Sequence, residues 1–221
     1  RAASADDNHS TAKLINNRMA ARVLRMWSSH PSGMVVGVHA TIGWIGHATT
    51  LITDRGTSVL TDPILTSRVI HLRRRRGRVP DDRRVVEPDV VVLSHLHADH
   101  THLPSLRRLG DVPIVAPRGA PDALPGLRSL GGPLTEVTVG DEVAVGGVTI
   151  RAVHAEHDGR RWPRGPHTTD ALGYVIAGDS TTYFAGDTDL YPGLGDEVSD
   201  VDTALLPVAG WGPSLGEGHL N

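Results

Sequence analysis

The chain has no cysteine, so it forms no disulfide and offers no thiolate; any metal it holds must be bound by His, Asp or Glu. Lysine is nearly absent as well. Of 22 basic residues only Lys13 is a lysine, a skew of the whole chain that weakens a functional reading of any single arginine. Aromatic residues make up 4%, which leaves the core to Val, Leu, Ile and Ala. No apolar run approaches the roughly 20 residues of a membrane-spanning helix, and no secretory leader pattern is visible, so a cytoplasmic protein is expected. A net charge of −3 argues against a general polyanion binder. What is abundant is punctuation. With 25 Gly and 15 Pro in 221 residues, many short strands joined by turns are expected rather than a helical bundle.

Chemistry concentrates in one stretch. Val90-Val-Val-Leu93 is a short β-branched apolar run of the kind buried on both faces of a sheet, and it opens directly into Ser94-His-Leu-His-Ala-Asp-His-Thr-His102. Imidazoles and a carboxylate so close together repel or go unpaired unless something compensates them, and a divalent cation does so directly. In extended chain, residues two apart share a side, so His95 and His97 can close on one ion while Asp99 and His100 reach a second. His102 is left without a metal and is expected to begin the next helix.

Ser94-His-Leu-His-Ala-Asp-His100 resembles the signature of the metallo-β-lactamase-fold hydrolases. The resemblance implies an α/β, four-layer αββα sandwich carrying one or two metals at one edge. Trp44-Ile-Gly-His-Ala-Thr-Thr-Leu-Ile52 with Leu60-Thr-Asp-Pro63 is similar to the branch containing ascorbate-6-phosphate lactonase-like proteins and the N-acyl-phosphatidylethanolamine phospholipase D group. In that branch the counterpart of Asp62 stands behind the ligands and orients them, and His47 is expected beside it. A third ligand for the first metal should come from another strand end. His154 and His157 both qualify, and the resemblance favours His157 through Ala155-Glu156-His157. It further implies that Asp187, rather than Asp189, bridges two metals and that His219 completes the second position. Relatives continue into a helix and usually one more strand beyond that histidine, so a missing C-terminal part is expected.

Around this centre, residues 1–31 are read as a loose tail and an amphipathic helix, with Leu14, Ile15, Met19, Val23, Met26 and Trp27 on one side, and residues 32–221 as a single catalytic domain. Packing on its own domain is the expected fate of that helix, with peripheral membrane contact through 11–27 as the other. Strands are expected across Val35–Asp62, at Pro113–Pro117, in a pair over Val137–Val153, at Ala171–Ala177, after Gly178-Asp179 and at Thr203–Val208, with short helices at Leu103–Leu109, Gly119–Leu130 and Leu190–Val198. The Arg-rich run 71–84 can bind phosphate but is more simply a solvated loop, which makes nucleic acid an unlikely partner. Arg160, Arg161, Trp162 and His167 lie in a turn-rich loop expected to overhang the metals and touch substrate.

These readings combine into a metal-dependent hydrolase of a small-molecule or lipid-like ester, lactone or phosphodiester. It would use two divalent ions, zinc first and Mn or Fe next, with Asp99 both a ligand and a catalytic group handling the proton of the attacking water. The competing readings are a phosphate- or nucleic-acid-binding protein with a structural metal, or a nuclease of the same fold.

Overall fold

Alternation within Val90–Leu93 sets the layers: Val90 and Val92 enter one apolar cluster while Val91 and Leu93 enter another. The computed structural model describes residues 34–36, 40–74, 87–162, 167–207 and 219–220. The expected helix over 11–27 and most of the Arg-rich run lie outside the described residues.

The first sheet begins with the antiparallel strands β1 (Met34–Val36), β2 (Thr41–Gly46), β3 (Thr49–Asp54) and β4 (Thr57–Thr61), the last two joined by the expected turn at Asp54-Arg55-Gly56. A small hairpin, β5 (Arg68–Val69) and β6 (Leu72–Arg73), precedes β7 (Val90–Val92). β7 lies parallel between β4 and β8 (Ile114–Pro117), and β9 (Leu134–Val137) ends the sheet. Helix α1 (Leu103–Leu109) crosses from β7 to β8. The second sheet runs β10 (Glu142–Val145), β11 (Val148–His154), β12 (Leu172–Ala177), β13 (Thr181–Phe184) and β14 (Thr203–Leu205) in that spatial order.

Three clusters account for four layers. Ile52, Val59, Val90, Val92 and Val115 of the first sheet face Ile150, Leu172, Tyr174 and Ile176 of the second. On the outer side of the first sheet, Val91, Leu93, Leu96 and Ile114 pack against Leu106 of α1 and Leu127. On the outer side of the second, Val175 and Tyr183 meet Val198, just after the short helix α3 (Leu194–Glu197). The αββα sandwich is therefore present, with few and short helices.

Several element expectations are corrected. The helix expected over Gly119–Leu130 breaks into α2 (Ala120–Ala123) and a 3-10 turn (Pro125–Ser129), because Leu124, at φ −136°, precedes a proline that excludes it from the helical region. β9 was not expected. It completes the first sheet before the Thr138–Asp141 turn, held by Asp141 on the Thr138 amide, carries the chain to the second sheet. The Leu190–Val198 helix shrinks to α3, and the last strand ends at Leu205.

The two sheets are also tied by polar bonds at the edge where β7 ends. The buried Tyr174 hydroxyl donates to the Leu93 carbonyl at 2.8 Å, and the Leu172 amide donates to the Ser94 carbonyl at 2.9 Å. Tyr174→Phe leaves Leu93 O without this donor in a dry core. The expected loss is about 1–3 kcal/mol in urea unfolding, with an unchanged denaturant slope.

Candidate metal centre

Beyond Val92 the chain leaves the sheet and its alternation shifts by one, since Leu93 and Leu96, three apart, both enter the helix-side cluster. Leu96 is fully buried in the helix-side cluster, and the flanking His95 and His97 turn to the opposite side. A tight turn follows, with the His100 and Thr101 amides donating to the His97 carbonyl at 3.1 and 2.8 Å and Thr101 Oγ1 donating to the His95 carbonyl at 2.6 Å. It brings Asp99 and His100 alongside the first two histidines. The centroids of His95 and His100 are 4.1 Å apart, and those of His95 and His97 4.6 Å.

Asp62, immediately after β4, organises this cluster from behind. It is fully buried, and its backbone sits at φ 33°, in the left-handed region where non-glycine residues are uncommon. One carboxylate oxygen accepts the Ser94 amide at 2.8 Å; the other accepts the Ser94 hydroxyl at 2.6 Å and His100 Nδ1 at 2.7 Å. A serine has one hydroxyl proton. Because Ser94 gives it to Asp62, the 2.9 Å contact between Ser94 Oγ and His95 Nδ1 has the histidine as donor. Both His95 and His100 thus carry a proton on Nδ1 and turn Nε2 towards the cluster, His95 with a bare lone pair and His100 towards Asp187.

Those nitrogens test whether a cation fits. Neither His95 Nε2 nor His100 Nε2 has a hydrogen-bond partner among the described residues, although both are buried. His100 Nε2 nevertheless lies 3.1 Å from Asp187 Oδ2. A lone pair and a carboxylate oxygen at that distance, without hydrogen-bond geometry, repel unless a positive centre stands beside both. A proton can serve: burial disfavours charge on His100, but Asp187 and Asp62 outweigh it and hold its pKa well above the usual range. A metal ion serves equally. The donor set fits one.

Asp187 arrives from the end of β13 through Gly186, whose φ of 62° and approach to Ser94, 2.6 Å from where a Cβ would sit, exclude a side chain. Burial opposes ionisation of Asp187, but His100 prevails and its pKa falls to about 2. For Asp99 burial is likewise overcome, here by the His47 hydrogen bond and His100, leaving the carboxyl well below the usual range. His95 and His97 are pushed down, first by burial and then by neighbouring imidazoles, towards the neutral form that ligates metals.

Ligand atoms of His95, His97 and His157 lie within 4.8 Å of one another, as do those of His157, Asp187 and His219, and those of His47, Asp99 and His100. β11 separates the two histidines that the sequence left open. His154 points away, against the Tyr191 ring and 3.3 Å from Glu156, while His157 stacks within 4.7 Å of His95. His219 Nε2 is 3.4 Å from Asp187 Oδ2. His47 stands nearer than its expected place behind the ligands, 3.2 Å from Asp99 Oδ2. His102 sits at the start of α1, bonded to Ser105 Oγ at 2.7 Å.

The overhanging loop departs from expectation. Arg160 pairs with Asp158 at 2.7 Å on the surface. Arg161 turns inward: its Nη1 donates to the carbonyls of Leu96 and Thr101 at 2.9 and 2.8 Å, so it clamps the ligand turn instead of facing solvent. Trp162 and His167 are exposed, and the Arg161 guanidinium lies 5.5 Å from the Trp162 ring centroid. Sequence reasoning missed Ser94 and the clamping role of Arg161. A hydroxyl between a buried strand and the first histidine was the available signal for Ser94; nothing in the loop's composition marked Arg161.

Facing sheets flanked by helices, with His and Asp side chains converging from several strand ends at one edge, define a metallo-hydrolase sandwich. Residues 57–221, more than half of the chain, match the beta-lactamase superfamily domain, and the chain belongs to this superfamily of metal-dependent hydrolases. It is 34% identical over 177 residues to a UPF0173 metal-dependent hydrolase of Methanosphaerula palustris, a match covering 76% of this chain and 70% of that protein. It is 27% identical over 208 residues to N-acyl-phosphatidylethanolamine-hydrolyzing phospholipase D 1 of Caenorhabditis elegans, covering 84% of this chain and 58% of that one. Among solved structures, Igni18, a metallo hydrolase from Ignicoccus hospitalis, superposes with a TM-score of 0.60 at 22% identity, over 79% of this chain and 72% of the other, and shares the fold.

If Asp62 sets the proton positions of His95 and His100, Asp62→Asn should weaken zinc binding by about 10- to 100-fold while the sandwich persists. Competition with a chromophoric chelator, alongside circular dichroism, checks both halves of that expectation.

Proposed function

We propose that the chain hydrolyses an ester, lactone or phosphodiester of a small or lipid-like molecule, using two divalent ions, zinc first and manganese or iron as substitutes. The observation that carries this reading is the convergence of ligand triads from several strand ends, His95, His97 and His157 and then His157, Asp187 and His219, each with its ligand atoms within 4.8 Å of one another, beside the buried Nε2 of His95, which has no hydrogen-bond partner among the described residues. His95, His97 and His157 would hold one ion, Asp99, His100 and His219 the other, with Asp187 shared between them. Bound there, the metals supply activation of water near neutral pH and neutralise charge developing on the substrate's carbonyl or phosphoryl oxygen.

The protein's own groups supply orientation. Asp99, kept ionised and half-buried, accepts a hydrogen bond from the attacking water and can take its proton and hand it to the departing group. Arg161 keeps the Leu96–Thr101 turn from drifting, so the ligands meet the substrate in a fixed geometry. With more candidate ligands than the four that close a structural zinc site, the cluster favours catalysis over a purely structural metal.

Two features support an amphiphilic substrate. Trp44 and Trp162 are 54% and 59% exposed, and each adjoins a residue bonded into the site, the first by donating its indole N–H to the His47 carbonyl and the second as the neighbour of Arg161. The relative from C. elegans, named for hydrolysing N-acyl-phosphatidylethanolamine, supports a lipid phosphodiester in particular. Peripheral membrane contact through 11–27 would suit such a substrate. A nucleic-acid reading gains nothing from Arg74, whose guanidinium donates to the carbonyls of Ile45 and Ile64 at 2.9 and 3.1 Å.

His97→Ala should abolish hydrolysis of a generic phosphodiester or lactone while leaving the far-ultraviolet circular dichroism intact, and chelation should silence the native protein until zinc is restored. Tightly bound metal with no turnover on phosphodiesters, lactones or lactams would instead favour a structural metal.

A further inference from the structure

The turn between β2 and β3 is distorted to carry His47. Register shifts between Trp44 and Gly46, Gly46 adopts φ 141°, and His47 itself is held at φ 53°, a left-handed conformation uncommon for residues other than glycine, though His, Asn and Asp take it more readily than most. The distortion is braced from two sides. The Trp44 indole donates to the His47 carbonyl at 2.8 Å, and the Arg74 guanidinium holds the Ile45 carbonyl at 2.9 Å. Such constraint at one residue of a cluster is a feature of functional positions.

Its outcome is geometric. His47 Nε2 comes 3.2 Å from Asp99 Oδ2, its ring centroid lies 4.9 Å from that of His100, and the ligand atoms of the three residues fall within 4.8 Å of one another. A separation of 3.2 Å suits two neighbouring ligands of one ion, whose bonds to zinc are each about 2.0–2.2 Å long. His219, by contrast, shares its neighbourhood with His157 and Asp187.

We infer that His47 is a direct ligand of the second metal position, closing it together with Asp99 and His100 from the β2–β3 side. This rests on the two-metal reading above and adds to it a ligand from a segment that precedes the central motif. Asp187 and His219 approach that position from the side of the second sheet. The second ion would then bridge the two sheets and not only the ends of the parallel strands.

The test is Co(II) titration of the full chain, native and His47→Asn, following visible absorption and bound metal per chain. Asn tolerates left-handed backbone, so this variant keeps the turn while withdrawing the imidazole; His47→Gln, which offers a longer amide, serves as a second variant, and circular dichroism reports folding in both. The expected result is that the first equivalent binds as in the native protein, while the second is lost or weakened by more than about 100-fold and its visible bands change. A weakening of only about 10- to 100-fold with unchanged bands, the effect of losing a group that merely orients a ligand, would overturn the assignment, as would an unchanged second equivalent. A native chain that binds a single equivalent would overturn the two-metal reading itself, an outcome visible before any variant is made.

Discussion

The carboxylate of Asp62 is the interaction on which the site depends. A buried charge is tolerated only when its lone pairs are occupied, and here three donors from two segments occupy them. Those bonds join the end of β4 to the end of β7 and reach forward to the ligand turn. They also determine proton positions. By taking the Ser94 hydroxyl proton, Asp62 forces His95 to donate through Nδ1, and by accepting His100 Nδ1 directly it does the same there. One carboxylate therefore prepares two imidazoles for the same task, turning two buried nitrogens towards the cluster. Acceptors gathered this closely call for positive charge beside them, which a proton on His100 or a bound cation supplies.

Such a cluster needs a rigid frame, which the sandwich supplies. β7 is packed on both faces, Val90 and Val92 against the second sheet and Val91 and Leu93 against the helices, so its exit is held from two sides. Leu96 continues the helix-side packing four residues past Val92 and pins the backbone between the histidines. β11 and β13 end at the same edge, delivering His157 and Asp187. The site is thus an edge property of two sheets, which is why residues far apart in sequence meet within a few ångströms.

Much of this was legible in the sequence, and the remainder was hidden for identifiable reasons. The doubly buried strand and the His-x-His-x-Asp-His cluster were readable because burial and ligand spacing are local signals. The choice between His154 and His157 was not, because one ends β11 and the other lies three residues beyond it, and only the folded path shows that His154 meets Tyr191 while His157 meets His95. The break in the 120–129 helix was foreshadowed by Pro125, yet β9 was hidden because Leu134–Val137 has exposed residues at an edge and carries little apolar pattern. His47 was expected behind the ligands beside Asp62, and its approach to Asp99 was hidden, since a bulge followed by a left-handed residue leaves no mark in composition.

The arginines show how composition and position carry different information. In a chain with one lysine, an arginine-rich loop says little about ligands, and among the described residues Arg74 and Arg161 approach the site as main-chain clamps. Arg74 spans Ile45 and Ile64, and Arg161 spans Leu96 and Thr101. A planar guanidinium offers several donors in a fixed fork and so can join two carbonyls at once, which an ammonium on a flexible stem does with less directional control. One clamp steadies the turn that carries His47 and the other the turn that carries Asp99 and His100. Among the described residues these two arginines therefore act on the frame around the centre.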